Sequence, residues 1–348
     1  MLQLFDRLAI EKTTKFLRHG VYRKKHQYST TDKLHYVSYY VTSAVGDGGQ
    51  VKAAVKVVPK LAELGGSGGD VICDGNVAKE IEILAKLAGT PGVVELMSWS
   101  ETHFHVNLCF PVYQHSLLDV IALLSTEKSA VGDKIDVLPQ VAKQLLDALS
   151  RVHTAKIVHG DIKPGSILAT APSALGDIKV VIADFGSAAE MDVIPGSPES
   201  YTILEGNCNT TYEYRAPELF LPKPLRAISY AADVWAMGCV IIEIETYRPL
   251  LGRDQVGRCD LGALFKELLW TLYRATPCQF PPATFSDRAM FIGCLFRLQL
   301  REVTQLPWAK ERAVPFKQLL ASFFVADPRK RPSASTLALD QALANALP

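Results

Sequence analysis

Residues 159–168 read HGDIKPGSIL, and residues 179–186 read KVVIADFG. Both put carboxylates next to strongly apolar runs. In the first, Asp161 and Lys163 lie in a loop marked by Gly160, Pro164 and Gly165. In the second, Asp184 ends an apolar strand and is followed by Phe185 and Gly186. Val141, Leu145, Leu149 and Val152 recur at helical spacing just upstream, so the loop follows a helix with one buried stripe. Downstream come Ala216, Pro217 and Glu218, and then VWAMGCVIIEI at 234–244. That run is apolar on every side, as a helix at the centre of a lobe must be.

Toward the N-terminus the composition turns to strand. YVSYYVTSAV at 36–45 and QVKAAVKVV at 50–58 flank a glycine-rich turn, which is a hairpin signal. Strand side chains alternate, so Val51, Ala53, Val55 and Val57 share one face and Lys56 points to the other. GGSGG at 65–69 reads as a flexible linker into NVAKEIEILAKL. There Ile81, Leu84, Ala85 and Ala88 keep helical spacing around Glu80. VVELMSW at 93–99 and HVNLCFPVY at 105–113 read as two further strands. Leu2, Leu4, Phe5, Leu8, Ile10, Phe16 and Leu17 suggest a helix docked on the body, an N-terminal extension over 1–20. The pattern is α+β: a β-rich part over 21–112 with one internal helix, then a larger helical part over 113–345.

Composition narrows the function classes. Of 348 residues, 48% are apolar and 21% charged, which is ordinary globular usage. With 37 basic against 36 acidic residues, no global field recruits nucleic acid or an anionic membrane surface. The longest apolar run falls far short of the roughly 20 residues needed to span a bilayer. The 7 cysteines include no C-x-x-C pair, so no disulfide frame or zinc ribbon is indicated. An intracellular protein, cytoplasmic or nuclear, is expected.

Strand lysine Lys56, helix glutamate Glu80, the Asp161 loop, Asp184-Phe185-Gly186 and Ala216-Pro217-Glu218 follow one another in a set order. That order resembles the signature of eukaryotic-type protein kinases over roughly residues 30–345. The resemblance implies the bilobal protein-kinase fold and transfer of the γ-phosphate of ATP to a protein hydroxyl. Such transfer is mostly positioning and electrostatic stabilisation. By resemblance, Lys56 holds the α- and β-phosphates and Glu80 holds Lys56. Asp184 binds Mg²⁺ or Mn²⁺, Asp161 orients the acceptor hydroxyl and takes its proton, and Lys163 neutralises the moving phosphate. Phe110 matches the gatekeeper, and the backbones of Pro111 and Tyr113 match the adenine contacts. His159 and Phe185 are packing residues beside Leu84 and Leu96. Asp233 anchors the loop, Arg331 pairs with Glu218, and Thr211 ties the substrate platform to Asp161 and Lys163.

Lys163, two positions after Asp161, is placed as in serine/threonine kinases. EYRAPEL and the long segment after YRPLLG resemble the CMGC group of cyclin-dependent, MAP and glycogen synthase kinases. There the arginine matching Arg215 favours proline after the phosphorylated residue, so proline-directed transfer is expected. The chain departs from the pattern in three places. Ser166 stands where an asparagine binds the second metal, so a weaker ligand is expected at that site. Gln27–Lys33 holds no glycine where a glycine-rich loop would cover the phosphates. Gly160 replaces the arginine before the catalytic aspartate, and the usual activation-loop acceptors are Gly206 and Cys208. Sensor and signal are missing together, which predicts activity independent of phosphorylation, with an activating protein partner as one way to order the loop. Glu205 is the nearest fixed negative charge. The alternative reading is a pseudokinase scaffold or allosteric partner with weak or no catalysis.

Overall fold

The computed structural model describes residues 26–30, 33–46, 49–59, 75–102, 105–127, 137–170, 178–191, 210–220, 228–251, 272–273 and 314–346. The expected N-terminal helix, the 65–69 linker, Glu205, Gly206 and Cys208 lie outside them, as does most of the segment after YRPLLG.

The architecture is bilobal and α+β. The smaller lobe is a five-stranded sheet in the order β1 (His26–Thr30), β2 (Lys33–Gly46), β3 (Gly49–Pro59), β5 (His105–Pro111), β4 (Ser98–Glu101). Valine and tyrosine are the commonest residues of β2 and valine of β3, residue types that fit a pleated, half-buried surface. The two strands form the expected hairpin, antiparallel from Ser38↔Val57 to Gly46↔Gly49. Lys56 sits in the middle of the sheet, opposite Tyr39 on one side and Leu108 on the other. A β1–β2 hairpin closing at Thr30↔Lys33 occupies the glycine-free stretch.

Helix α1 (Gly75–Lys86) lies where the sequence places it, but its inner face is turned. Val77, Glu80, Leu84 and Leu87 are buried, together with Ile83, whereas Ala85 and Ala88 are exposed. Alanine offers little area to bury, and Glu80 must face Lys56, so the ion pair and the larger side chains set the face. The strand expected at 93–99 is displaced too. Gly92 to Val94 pair with the other lobe, Val94 N–H donating to Ile182 O at 2.9 Å and Ile182 N–H to Gly92 O at 2.8 Å. Regular pairing with β5 begins only at Ser98.

The larger lobe is built on α3 (Leu138–Thr154) and α4 (Tyr230–Thr246). Val141, Leu145, Leu149 and Val152 are all fully buried, as their spacing requires. Each such side chain stabilises by about 1.5–3 kcal/mol through apolar burial. Helix α4 is buried from Ala232 to Ile244. At Gly238 a Cβ would fall 2.5 Å from Phe323 Cβ, so only glycine admits the segment carrying Phe323 and Phe324. Trp235 meets Phe324 edge to face at 5.1 Å. β6 (His115–Ser116) and α2 (Leu117–Glu127) precede α3, and between α3 and α4 run β7 (Ile157–Val158), β8 (Ile167–Ala169), β9 (Val180–Ile182) and β10 (Ala189–Glu190). Strands β6, β8 and β9 form one sheet, β7 and β10 a second. Helices α5 (Val314–Ser322), α6 (Ala334–Ala338) and α7 (Gln341–Ala344) close the lobe.

Candidate active site

The β8–β9 hairpin fixes both carboxylates. It pairs Ile167 with Ile182, which sets the loop before β8 beside the residues after β9. Asp184 then turns at φ 64° and ψ 63°, in the left-handed region that aspartate tolerates better than most residues. Its carboxylate is thereby aimed at the sheet of the other lobe. Lys56 Nζ donates to both oxygens of Glu80, at 2.7 and 2.8 Å, and to Asp184 Oδ1 at 3.1 Å. One ammonium thus joins β3, α1 and the start of the segment after β9.

Burial is the largest influence on both acids. It raises the Glu80 carboxyl above the ordinary range against the pull of Lys56. At Asp184 burial acts in the same direction but is outweighed by Lys56 and Lys163, which hold this carboxyl well below the ordinary range. Asp184 is therefore a fixed anion at neutral pH.

A second polar cluster is built around Asp161. Thr211 donates to Asp161 Oδ1 from its backbone N–H at 2.8 Å and from Oγ1 at 2.7 Å. Lys163 Nζ donates to Asp161 Oδ2 and, at 3.0 Å, to Thr211 Oγ1. The triangle ties the catalytic loop to the 3₁₀ turn Tyr212–Tyr214. Arg215 folds back on that turn, donating from Nε to Thr210 Oγ1 and from Nη2 to Thr210 O, both at 2.7 Å, with its guanidinium 4.3 Å from the Tyr212 ring centroid.

The loop hangs from Asp233 on α4, as expected. Its Oδ2 accepts from His159 N–H at 2.7 Å and its Oδ1 from Gly160 N–H at 2.9 Å. The His159 ring packs on Phe185 with centroids 4.8 Å apart and also bonds the backbone. Its Nδ1 accepts from Asp161 N–H at 3.2 Å, so Nε2 carries the proton toward Ala183 O at 2.9 Å. Ser166 is buried, its hydroxyl engaged with the Lys163 and Asp161 backbone. Arg331 forks onto Glu218 at 2.9 and 3.1 Å. Pro111 pairs with Ala53 at the end of β5, and Phe110 and Tyr113 pack against the core at the junction of the lobes.

Sequence reasoning missed two polar contacts, the second of them buried. His153 Nε2 lies 3.0 Å from Asp233 Oδ2, and Tyr214 OH donates to Glu243 Oε2 at 2.6 Å. Glu243 had a signal: a carboxylate within the buried, mostly apolar span of α4 must have a partner.

Lysine, glutamate and two separately held aspartates at the seam of a bilobal α+β fold make a site for handling anionic phosphates. The protein kinase domain model matches residues 40–342, and the chain belongs to that family. It is 28% identical over 259 residues to the rat serine/threonine-protein kinase ICK, covering 74% of this chain and 36% of that protein. It is 33% identical over 202 residues to a mitogen-activated protein kinase 13 of Oryza sativa subsp. indica (57% and 36% covered). It is also 30% identical over 178 residues to a probable cell division protein kinase of Encephalitozoon cuniculi (51% and 57% covered). The chain spans roughly a third to just over half the length of these relatives. The resemblance to the CMGC group is borne out, at low identity.

Proposed function

We propose that this chain is an ATP-dependent serine/threonine protein kinase. The observation that carries the reading is the closed Lys56–Glu80 pair with Asp184 on the same ammonium, beside an assembled Asp161–Lys163–Thr211 triangle. Lys56 holds the α- and β-phosphates, kept at that place by Glu80. The backbones of Pro111 and Tyr113 receive the adenine, the proline offering its carbonyl. Asp161 orients the acceptor hydroxyl and takes its proton, while Lys163 balances the charge that develops on the transferring group.

Divalent metal suits the donor set. Asp184 is a hard, ionised carboxylate with one oxygen on Lys56, and among the described residues no cluster of three or more His, Cys, Asp or Glu is placed to hold a metal. Mg²⁺ in kinase sites is held in just this sparse way, by one or two protein groups together with substrate phosphates. Asp184 would hold the ion, Mg²⁺ or Mn²⁺, whose positive charge would offset that of the phosphates.

The substrate is a protein serine or threonine, with proline after it; support comes from Lys163 and from Arg215 ordering the turn after Thr211. An activating protein partner would act through α1, which carries Glu80. The unpaired thiols Cys109 and Cys239 fit an intracellular setting, cytoplasmic or nuclear, and no described helix is long and apolar enough to cross a membrane. The test is transfer of radiolabelled phosphate from ATP to a peptide array. Incorporation that disappears in Asp161→Asn is expected; label that persists in that variant, or none from the wild type with either metal, overturns the reading.

A further inference from the structure

Ser166 stands where a kinase asparagine would bind a second metal, and its hydroxyl is held by the loop backbone as both acceptor and donor. A hydroxyl has one proton and two lone pairs. Here the oxygen accepts from Lys163 N–H at 3.0 Å, and the proton is directed to Lys163 O at 2.9 Å and Asp161 O at 3.1 Å. The side chain is 1% exposed. These bonds close the turn Pro164–Ser166 on itself and fix the peptide that follows Asp161. An asparagine amide can donate its N–H to a loop carbonyl and still present a separate oxygen to a cation. Serine has a single heavy atom for both tasks, on a shorter side chain. Drawing that oxygen to a cation at about 2.0–2.1 Å would strip Lys163 N–H or a loop carbonyl of its partner in a buried place.

We infer that Ser166 is a positioning residue and not a metal ligand, and that the chain holds one divalent cation with its nucleotide, through Asp184. The inference rests on the phosphoryl-transfer reading above. It replaces the weak second site expected from the sequence with no second site. Ser166 works through the backbone of Asp161 and Lys163, keeping the two catalytic side chains in register with Thr211.

The test counts Mn²⁺ bound to the intact chain by electron paramagnetic resonance, with a non-hydrolysable ATP analogue present. One Mn²⁺ per chain is expected for the wild type and for Ser166→Ala, and two for Ser166→Asn. Ser166→Ala should also melt at lower temperature, with kcat reduced and the Mn²⁺ dependence of KM for ATP unchanged, because only the staple is lost. If Ser166→Asn does not fold, the alanine variant carries the test, being smaller than serine. Two ions on the wild type and one on Ser166→Ala would overturn the inference and leave the kinase reading intact. A wild-type chain that binds no analogue at any Mn²⁺ concentration overturns the kinase reading, and this inference with it.

Discussion

The catalytic loop has an outward and an inward set of residues, and they have fared differently. Asp161 and Lys163 both reach Thr211, and both are of the residue types that the proposed phosphoryl transfer needs. Gly160 and Ser166, in the same loop, point inward and are fitted to backbone. Gly160 adopts φ +80°, and a Cβ there would fall 2.7 Å from Ser187 O and 3.2 Å from Ile228 Cδ1. Where the resembled family keeps a cation and an amide for reading a phosphate and holding a metal, this chain has close packing and a staple. Under the proposed function the groups that lower the barrier are kept, while the position of the phosphate-reading arginine and that of the metal-binding amide hold fixed contacts to the protein.

The largest effect is expected at the outward residues. Asp161→Asn should reduce turnover by about 10²–10⁴-fold, the usual contribution of a positioned base. Its melting temperature should stay near that of the wild type, since the amide can keep the bond from Thr211. Near-normal turnover in steady-state assays would show that Asp161 takes no part in transfer.

A contact of the inward kind carries the next largest effect, on stability and not on chemistry. Arg331 is enclosed: it forks onto Glu218, donates to Ala231 O at 2.6 Å and lies 5.0 Å from the Trp235 ring centroid. Arg331→Ala strands the buried Glu218 carboxylate, which typically costs about 3–5 kcal/mol. Chemical denaturation should show a loss of that size. A change below about 1 kcal/mol would mean that the Ala216–Glu218 segment is held by other contacts.

Gly160→Ala is smaller and tests the inward packing itself. Left-handed backbone at a non-glycine residue costs about 1–2 kcal/mol, and the approach to Ser187 O adds to it. The variant should lose roughly 1–3 kcal/mol of stability without any gain from phosphorylation. A neutral alanine would show that Ser187 moves aside freely and that an arginine could be restored there.

Phosphatase treatment of the purified chain should then leave activity unchanged. If activity falls, alanine substitutions at Ser200, Tyr201 and Thr202 locate the site, Thr210 being left out because its hydroxyl holds Arg215. Thr211 is unsuited to that scan, because removing its hydroxyl breaks bonds to both Asp161 and Lys163 whatever its modification state.

What could be read from the sequence follows the same division. Lys56, Glu80, Asp161 and Asp184 were legible because charges amid apolar periodicity are rare and their order is distinctive. The buried stripe of α3 and the all-round burial of α4 were legible because their large apolar side chains repeat at the helical period. The inner face of α1 was misread because periodicity counts apolar residues, and the face is decided partly by a carboxylate, Glu80, whose partner lies on another element. The strand expected at 93–99 was placed too early because Val93 and Val94 are buried by pairing with β9, a long-range partner that local pattern does not reveal. Ser166 could be located by alignment of motifs, but its engagement with the loop backbone could not, since one residue letter carries no hydrogen-bond geometry.

The smallest effect is expected at the outer edge of α1. Lys86, in its last turn, pairs with Glu190 on β10, linking the helix that carries Glu80 to the segment after Asp184. The position invites comparison with Lys56–Glu80, since both pairs join α1 to neighbouring elements. Solvent separates the two cases. Lys56 and Glu80 are almost wholly enclosed, whereas the Lys86 and Glu190 side chains are each about half exposed. The glutamate carboxyl is lowered by its hydrogen bond and charge attraction to Lys86. A lowered acid contributes only above its unfolded pKa and loses that contribution as pH falls through the folded value. Being exposed, the pair is also screened at ordinary ionic strength, and two long side chains lose freedom in forming it. Lys86→Ala should therefore leave the melting temperature unchanged between pH 6 and 8 at 0.15 M salt, and turnover with it. A clear loss of turnover with unaltered melting would give this pair a part in holding α1 against the active site, and would move one control element from the packed interior to the surface.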